Sequence, residues 1–326
     1  MLAARLHAFG RASEVLRVDE IFVPQAGFGE LLVEMLAAPV NPADLNIIEG
    51  KYGELPELPA VIGNEGVGRV LDVGVGVSGF AAGDLVLPMS RGTWTNRLLA
   101  KADDVVLLPA GLDVFQAAML TVNPPSAWAM LHEFVKLNAG DWIVQNAANS
   151  AVGRSVIQIA RSLGWRTLNV VRRPELIDEL RAIGGDVVVL EDCDLRTQIA
   201  ELCGKDCPRL ALNAVGGASA LNLANALADE GTLVTYGAMG RQPLKIPNGL
   251  LIFRNLHFCG FWLNRWKEKS PANAIKEMFS TLAGLVERGE LVMPVHRVYP
   301  LTELAAAVEE AGRESRAGKV LLDLSA

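Results

Sequence analysis

Cysteine is scarce in this chain, and its distribution argues against a thiolate metal site. The sequence has four cysteines among 326 residues, and none of them precedes Cys193. Cys203 and Cys207 are separated by three residues, with no second pair and no nearby histidine to complete a zinc site. We therefore interpret the thiols as incidental or buried groups of a protein in a reducing compartment, and we expect no metal.

Two further absences concern partners and compartment. The formal net charge of −7 is not that of a generally cationic nucleic-acid or membrane binder, although a local basic patch stays compatible with it. No apolar run reaches the roughly 18 residues of a membrane span, because Glu34 interrupts the longest one. The N-terminus enters a strand-like pattern directly, without signal-peptide features. We expect a cytoplasmic protein with no nucleic-acid or membrane partner. A mitochondrial matrix protein after removal of its presequence would look the same.

Apolar residues, by contrast, are plentiful. They make up 51% of the chain, against 21% charged residues, which suffices for two packed cores. Early in the chain, short apolar runs at 31–36, 66–73 and 84–88 are separated by glycine and proline turn signals. This rhythm predicts an antiparallel, β-rich domain, as a partly closed barrel, which we place at residues 1–118.

After Gly111 the pattern changes to alternating strands and helices. A strand at 142–146 and a helix at 152–163 begin a series that continues to a strand at 256–261. Repeated units with nearly all-apolar strands predict an α/β fold with a doubly wound parallel sheet, here a Rossmann domain at 119–262. Strands predicted at 295–300 and 319–324 have no place in a complete Rossmann sheet. Residues 263–326 are therefore expected to return to the first domain.

The turn after the first Rossmann strand is the candidate phosphate loop. It reads Ala147-Ala148-Asn149-Ser150-Ala151-Val152-Gly153. Small residues here let the amides of a helix N-terminus approach a pyrophosphate. Asn149 and Ser150 are both good N-caps, and Gly153 would let the helix lie close to the strand. The usual G-x-G-x-x-G is absent, so an ordinary strand–helix turn is the alternative. The candidate cofactor residues of the loop are Asn149, Ser150, Ala151 and Val152.

Charge at the end of the next strand indicates which dinucleotide binds. Where an NAD enzyme would have a ribose-binding carboxylate, this chain has Arg172 and Arg173. Two guanidinium groups suit the 2′-phosphate of NADPH, with solvated charges at a helix start as the alternative. Two later strand ends reach the same edge of the sheet and supply further cofactor candidates. They are Asn213-Ala214-Val215-Gly216-Gly217 and Tyr236-Gly237-Ala238-Met239.

Several stretches carry a resemblance to a known family. The most specific are Leu55-Pro56-Glu57-Leu58-Pro59-Ala60 and Gly260-Phe261-Trp262-Leu263. Others are Asn41-Pro42-Ala43-Asp44-Leu45-Asn46, Gly50-Lys51-Tyr52-Gly53, Gly63-Asn64-Glu65-Gly66 and Val122-Asn123-Pro124. With the order of the domains, they resemble the medium-chain dehydrogenase/reductase superfamily over essentially the whole chain. Within it, the chain is most similar to the 2-enoyl thioester reductases of mitochondrial-type fatty acid synthesis. The resemblance implies a GroES-like catalytic domain and a Rossmann domain that binds NADPH.

The resemblance also bears on the metal. Zinc alcohol dehydrogenases of this superfamily have a cysteine near the position of Asp44 and a histidine at the position of Asn64. An amide is a poor zinc ligand. The resemblance therefore implies a zinc-free reductase, with no Lewis acid available to polarise a carbonyl.

Residue roles are implied by the same resemblance. Tyr52 is expected to stabilise charge on the thioester oxygen, for which a phenol hydroxyl is suited. Asn123 is expected at the nicotinamide or the thioester, and Trp262 in the acyl or nicotinamide pocket. The alternatives are a turn residue for Asn123 and core packing for Trp262. Further cofactor candidates are Phe261, Leu263 and Lys319, and a solvated charge is the alternative for Lys319.

The chain also departs from the family pattern. Ala151 stands where relatives often have glycine, a difference of one methyl group that should be tolerated. Arg172 and Arg173 are not spaced as the usual two arginines, so which of them binds the 2′-phosphate is left open. A basic stretch after the Phe-Trp-Leu run is a candidate landing site for coenzyme A phosphates or an acyl carrier protein. Its members are Arg265, Lys267 and Lys269, and a solvated loop is the alternative.

The implied activity is NADPH-dependent reduction of trans-2-enoyl thioesters of coenzyme A or acyl carrier protein, with hydride addition to the β-carbon. One alternative is a zinc-free NADPH quinone oxidoreductase. A second is a non-catalytic NADPH-binding protein, which Tyr52, Asn123 and the acidic net charge disfavour. The resemblance further implies a homodimer, and the apolar strand at 256–261 is a candidate pairing element at the sheet edge.

Overall fold

A computed structural model describes residues 1–191, 194–203, 208–313 and 316–325. Cys193 and Cys207, which entered the argument against a zinc site, lie outside the described residues. The chain divides into two compact units, one of Met1–Val122 with Lys276–Ala326 and one of Asn123–Ile275.

The secondary structure alternates along the chain as follows. The strands are β1 (Leu2–Leu6), β2 (Leu16–Glu20), β3 (Glu30–Pro39), β4 (Ala60–Val61), β5 (Val67–Val73), β6 (Leu85–Pro88), β7 (Arg97–Lys101), β8 (Val105–Leu107), β9 (Trp142–Gln145), β10 (Arg166–Val171), β11 (Val187–Leu190), β12 (Leu210–Asn213), β13 (Thr232–Thr235), β14 (His257–Gly260), β15 (Val295–Pro300) and β16 (Lys319–Asp323). The helices are α1 (Ala12–Val15), α2 (Pro42–Ile48), α3 (Val114–Ala118), α4 (Asn123–Glu133), α5 (Ala151–Ser162), α6 (Leu176–Ala182), α7 (Leu195–Cys203), α8 (Gly217–Ala226), α9 (Asn248–Ile252), α10 (Leu263–Lys269), α11 (Ala272–Glu287) and α12 (Leu304–Gly312).

Sheets form the first unit, as the short apolar runs predict. β2, β1 and β4 pair in that order as a small antiparallel sheet. A larger sheet has the order β15-β16-β3-β5-β6-β8, and β7 also pairs with β3. The pairs among β3, β5, β6, β7 and β8 are all antiparallel, which confirms the expectation for this part of the chain.

The two closing strands pair within this unit, and the chain re-enters it at Lys276 rather than at residue 263. β16 pairs antiparallel with β3, while β15 runs parallel to β16. Val320, Leu321 and Leu322 are fully buried, so the last strand helps to form the core of the first unit. The first residue of β16, Lys319, is buried with them.

The second unit is a parallel sheet with the strand order β11-β10-β9-β12-β13-β14. Each adjacent pair is parallel, and the order reverses beside β9, as in a doubly wound dinucleotide-binding fold. Val170 belongs to one apolar cluster and Val171 to another, because successive residues of a strand face opposite sides of the sheet. Both faces are therefore packed, and the predicted fold class is confirmed.

Two segments differ from the alternatives considered for them. Arg265, Lys267 and Lys269 lie on helix α10 rather than in a loop, because Leu263 is buried at its first position and anchors the helix. Asn123 is the first residue of α4 rather than a turn residue, since the prolines that follow it are compatible with a first helical turn.

Among the described residues, no helix has the length and apolar character that crossing a membrane requires.

Candidate active site

The predicted phosphate loop joins β9 to α5 in the second unit. Ser150 is the N-cap of α5, and its hydroxyl accepts a hydrogen bond of 3.1 Å from the Gly153 amide. Of the two N-cap candidates, Ser150 therefore fills the position and Asn149 precedes it. A Cβ atom on Gly153 would lie 2.5 Å from the Ala148 carbonyl oxygen, so the loop and the helix touch here. This close contact presents the first amides of α5 as a site for an anion.

Tyr236 approaches the same loop from the end of β13. Its hydroxyl is buried near the Ser150 side chain. Among the described residues, neither Ser150 nor any other residue lies in hydrogen-bonding geometry with it. Burial raises the pKa of Tyr236 far above its usual value, so the phenol stays a neutral donor. A buried hydroxyl without an acceptor is costly, and a cofactor phosphate at the loop would supply one. The residues present therefore fit a dinucleotide.

Buried amides support the loop; the sequence analysis gave Asn146 no role and placed Asn213 among the cofactor candidates. The Asn146 Nδ2 donates to Asn213 Oδ1 at 2.8 Å and to the Ser219 hydroxyl at 3.0 Å. The Asn146 Oδ1 accepts from the Ala214 amide at 2.8 Å. Asn213 Oδ1 also accepts from the Gly216 amide at 3.0 Å. The signal was available in the sequence, because Asn146 and Asn213 follow or end apolar strands at the edge where ligands bind.

The two arginines lie directly after β10. Arg172 is exposed, whereas Arg173 is half-buried with its Nη1 3.4 Å from the Glu175 Oε1. Both follow the carboxyl end of a central strand, as the sequence predicts. Which of the two binds a 2′-phosphate stays a prediction.

The remaining candidates of the second unit lie near helix starts and in exposed turns. Asn123 is buried at the start of α4. The Phe261 ring packs edge-on against Phe134, with ring centroids 6.3 Å apart. Trp262, just before α10, is 39% exposed, so it is not a buried core residue, while Leu263 is buried. The other exposed candidates are Ala238 and Met239.

Tyr52 belongs to the first unit and follows α2. It is half-buried and packs against the apolar core. Gly50 adopts φ of 71°, and the Lys51 amide donates to the Asn46 carbonyl at 2.8 Å, so the chain turns back on α2 just before Tyr52. The position of Tyr52 is thus tied to the end of this helix.

A cluster of buried ionisable side chains lies at the other end of α2. Glu65 is completely buried, and its Oε1 accepts a hydrogen bond of 2.6 Å from Asn41. Its Oε2 accepts from the amides of Thr121 and Val122 at 3.2 and 2.9 Å. The Lys319 ammonium group donates to the Asn41 Oδ1, so Lys319 is not the solvated charge considered as an alternative.

The protonation equilibria of this cluster are shifted by burial. Burial raises the pKa of Asp44 to about 7, with the nearby Glu65 charge adding to the effect. Burial also raises the pKa of Glu65, against the opposing influence of Lys319. Burial lowers the pKa of Lys319 to about 8, although Glu65 and Asp44 both favour its charged form.

The two positions relevant to zinc are in contact with each other. The Asn64 Nδ2 donates to the Asp44 Oδ1 at 2.6 Å. In the parts of the chain that the structure describes, no group of three or more His, Cys, Asp or Glu side chains could hold a metal ion. Zinc-free chemistry stays a prediction.

Comparison with protein families and curated relatives gives matches along the chain. The alcohol dehydrogenase GroES-like domain matches residues 27–119, and the zinc-binding dehydrogenase family matches residues 151–281. The mitochondrial enoyl-[acyl-carrier-protein] reductase of Xenopus tropicalis is 42% identical over 313 residues, which are 93% of this chain and 89% of that protein. The Homo sapiens protein of the same name is 42% identical over 323 residues, covering 97% and 86%.

Solved structures match in fold over the whole chain. Etr1p in complex with NADP and crotonyl-CoA has a TM-score of 0.89 at 32% identity, covering 99% of both chains. Etr1p with Etr2p is described as a mitochondrial 2-enoyl thioester reductase heterodimer from Candida tropicalis. A protein described as an NADPH:quinone reductase from Bacillus thuringiensis has a TM-score of 0.91 at 31% identity, covering 99% of this chain and 98% of that chain.

Proposed function

This chain belongs to the medium-chain dehydrogenase/reductase family, in the group of the mitochondrial enoyl thioester reductases, and we propose that it reduces trans-2-enoyl thioesters with NADPH. The observation that carries this function is the similarity to enoyl-[acyl-carrier-protein] reductases along nearly the whole chain. The phosphate loop, the two arginines and Tyr52 supply the matching chemistry.

NADPH is the cofactor, and its phosphates fit the second unit. Ser150, the close approach at Gly153 and the buried Tyr236 hydroxyl would hold the pyrophosphate. Arg172 or Arg173 would bind the 2′-phosphate. When bound, NADPH supplies the hydride that adds to the β-carbon of the enoyl group. Further proposed contacts are Asn123, Asn149, Ala151, Val152, Gly237, Ala238, Met239, Phe261, Trp262 and Leu263, whereas the ammonium group of Lys319 is bound by Asn41 in the first unit.

Tyr52 stabilises the negative charge that hydride addition creates. Hydride addition at the β-carbon leaves negative charge on the thioester oxygen, as an enolate. The Tyr52 hydroxyl donates a hydrogen bond to that oxygen, and the α-carbon takes its proton from Tyr52 or from water. Asn123 orients the thioester or the nicotinamide, and Trp262 lines the pocket for one of them.

The carrier of the acyl group is recognised by charge. Arg265 and Lys269 are four residues apart on α10 and share one face of that helix. With Lys267 they suit the phosphates of coenzyme A or the acidic surface of an acyl carrier protein. The crotonyl-CoA bound to Etr1p supports the first carrier, and the name of the curated relatives supports the second.

Assembly and location are further parts of the proposal. We assign a homodimer that pairs through β14, the last strand in the order of the parallel sheet; the Etr1p/Etr2p heterodimer supports a dimeric arrangement. The curated relatives are mitochondrial proteins. Their location supports the mitochondrial matrix, rather than the cytoplasm, as the subcellular location of this protein.

A second candidate function is NADPH quinone reduction, which the likeness to the Bacillus thuringiensis protein favours. Steady-state NADPH oxidation with crotonyl-CoA and with 1,4-benzoquinone separates the two. We expect kcat/KM to be higher with crotonyl-CoA. A higher value with benzoquinone would favour the quinone reductase, and no oxidation with either would favour a non-catalytic NADPH-binding protein.

The role of Tyr52 is tested by Tyr52→Phe, which removes the hydroxyl and keeps the ring. We expect kcat with crotonyl-CoA to fall by about 10²- to 10³-fold, the loss typical of one donor to a developing oxyanion. NADPH affinity, measured by fluorescence titration, should not change. Tyr299→Phe is the matched control, because Tyr299 is buried in the core and its ring lies under Arg297. A folded Tyr52→Phe protein with full turnover contradicts the assignment.

A further inference from the structure

Asn41 connects the members of the buried charged cluster in the first unit. It is 2% exposed and is the N-cap residue of α2. Its Nδ2 donates to Glu65 Oε1 at 2.6 Å, and its Oδ1 accepts from the Lys319 ammonium group. Its backbone amide donates to the Asp44 Oδ2 at 2.8 Å. The amide orientation is fixed, because a flipped Asn41 would turn its Nδ2 toward Lys319 and its oxygen toward Glu65.

Glu65 extends these contacts to a further segment of the chain. Its second carboxylate oxygen accepts from the Thr121 hydroxyl at 3.2 Å as well as from the Thr121 and Val122 amides. The two carboxylate oxygens therefore join the start of α2 to residues 121–122. Through Asn41, the same bridge reaches Lys319 on β16, 278 residues away.

Such a bridge tolerates little displacement. A buried charge is stable only while its counter-charge and hydrogen-bond donors stay in place, and a partly satisfied network is costly. Glu65 is completely buried, and Lys319 is 8% exposed. A shift of Asn41 would break contacts to both. The start of α2 is thus held in one position.

Helix α2 transmits that position to Tyr52. It has seven residues, so it spans about 10 Å. Ile47 and Ile48 are buried at its end, and the Ile48 carbonyl accepts from the Gly10 amide at 2.9 Å. The Lys51 amide bonds back to Asn46, and Tyr52 follows. Both ends of the helix are therefore fixed, and Tyr52 extends from one of them.

We propose that Asn41 and Glu65 are positioning residues for Tyr52, which hold α2 so that the phenol hydroxyl meets the thioester oxygen. The inference rests on the proposed enoyl thioester reductase function. Neither residue touches the reacting atoms. Each acts through the bridge from Lys319 to residues 121–122.

Two isosteric substitutions and their combination test the bridge. Asn41→Asp places an acceptor against Glu65 Oε1, and Glu65→Gln places a donor against either Asn41 Nδ2 or residues 121–122. Each is expected to lower the Tm and to lower kcat by about 10- to 100-fold. In the double variant the new amide at position 65 can donate to the new carboxylate at position 41, and the total charge is that of the wild type. We expect Tm to return toward the wild-type value and kcat to return to within about fivefold of the wild-type kcat. If Tm does not recover, the bridge is overturned.

The link to Tyr52 is tested by combining Asn41→Asp with Tyr52→Phe. If Asn41 acts by placing the hydroxyl, its effect on kcat should shrink to less than about twofold once the hydroxyl is gone. NADPH affinity should stay within about twofold of wild type. An equal loss of kcat in both backgrounds, or a parallel loss of NADPH affinity, overturns the positioning role.

Two controls keep the outcomes distinct. Thr121→Val removes one donor to Glu65 at nearly constant volume, and it replaces the stronger variants if these do not fold. It is expected to lower kcat about threefold, and this loss should again be absent in the Tyr52→Phe background. A wild-type protein that does not reduce crotonyl-CoA contradicts the proposed function. In that case the Tm of the Asn41→Asp/Glu65→Gln double variant still tests the bridge between these two side chains.

Discussion

Asp44 has an ionisation equilibrium that links stability to pH. Its pKa is 3.8 as a free side chain and about 7 in the folded protein, mainly because of burial. The folded state thus binds this proton more tightly than the unfolded chain does. From pH 4 to pH 7 the contribution of Asp44 to stability therefore falls as pH rises, and it levels off above pH 7. Glu65 and Lys319 are the charged groups that face it.

The Asp44→Asn substitution should remove this dependence. Its amide can still pair with Asn64 if that side chain turns, so the fold is expected to persist. Relative to wild type, the variant should gain stability between pH 5 and pH 7.5, by roughly 2–4 kcal/mol at most. Thermal unfolding across this range measures the difference. Asp72→Asn, at an exposed position, is the control and should leave the wild-type pH dependence unchanged. A constant difference for Asp44→Asn would contradict the shifted pKa.

Arg172 and Arg173 give a prediction about cofactor choice. Replacing either by alanine removes a guanidinium group at the end of β10. The variant that lacks the arginine of the 2′-phosphate site should bind NADPH about 10- to 100-fold more weakly and should lose little affinity for NADH. Arg166→Ala is the control, because Arg166 lies at the opposite end of the same strand and stacks over Trp142. Equal losses for both cofactors in both variants would contradict a role of these arginines at the 2′-phosphate.

At the scale of elements, the phosphate loop depends on the contact between β9, its loop and α5. A methyl group on Gly153 would meet the Ala148 carbonyl oxygen at 2.5 Å, so Gly153→Ala must push the helix from the loop. NADPH affinity is expected to fall by about 10- to 100-fold, because the amides that face the pyrophosphate move. Gly249→Ala in α9 is the control, with its nearest neighbour at 3.6 Å. Unchanged NADPH affinity in Gly153→Ala would show that the loop does not bind the phosphates.

Elements could be predicted from the sequence where the pattern was long and apolar. The strand at 142–146 and the helix at 152–163 agree with β9 and α5 to one residue at each end. Helix α9 has five residues and α10 is largely charged, so neither has the apolar stripe that a helix prediction needs. The contact of Lys319 with Asn41 was beyond reach, because the spacing of residues within a segment does not tell which distant segments meet.

At the scale of the whole molecule, the parallel sheet ends at β14. Among the described residues, β14 pairs with β13 on one side, and the sheet order places no strand beyond it. The amides of His257 and Phe261 donate toward β13, to the carbonyls of Gly231 and Thr235. Because strand amides alternate in direction, those of Phe258 and Gly260 point away from the sheet. They are the groups that a second copy of this chain would pair with.

Gly260→Pro tests the proposed homodimer at this edge. It removes one outward donor and adds a ring where a Cβ meets nothing within 4 Å, while the inward bonds of β14 stay intact. Light scattering after size-exclusion chromatography should show a dimer for wild type and for Gly260→Ala, and a monomer for Gly260→Pro. NADPH titration checks that the Rossmann sheet remains folded. If Gly260→Pro stays dimeric, the chain associates through another surface, and a monomeric wild type rules out the homodimer itself.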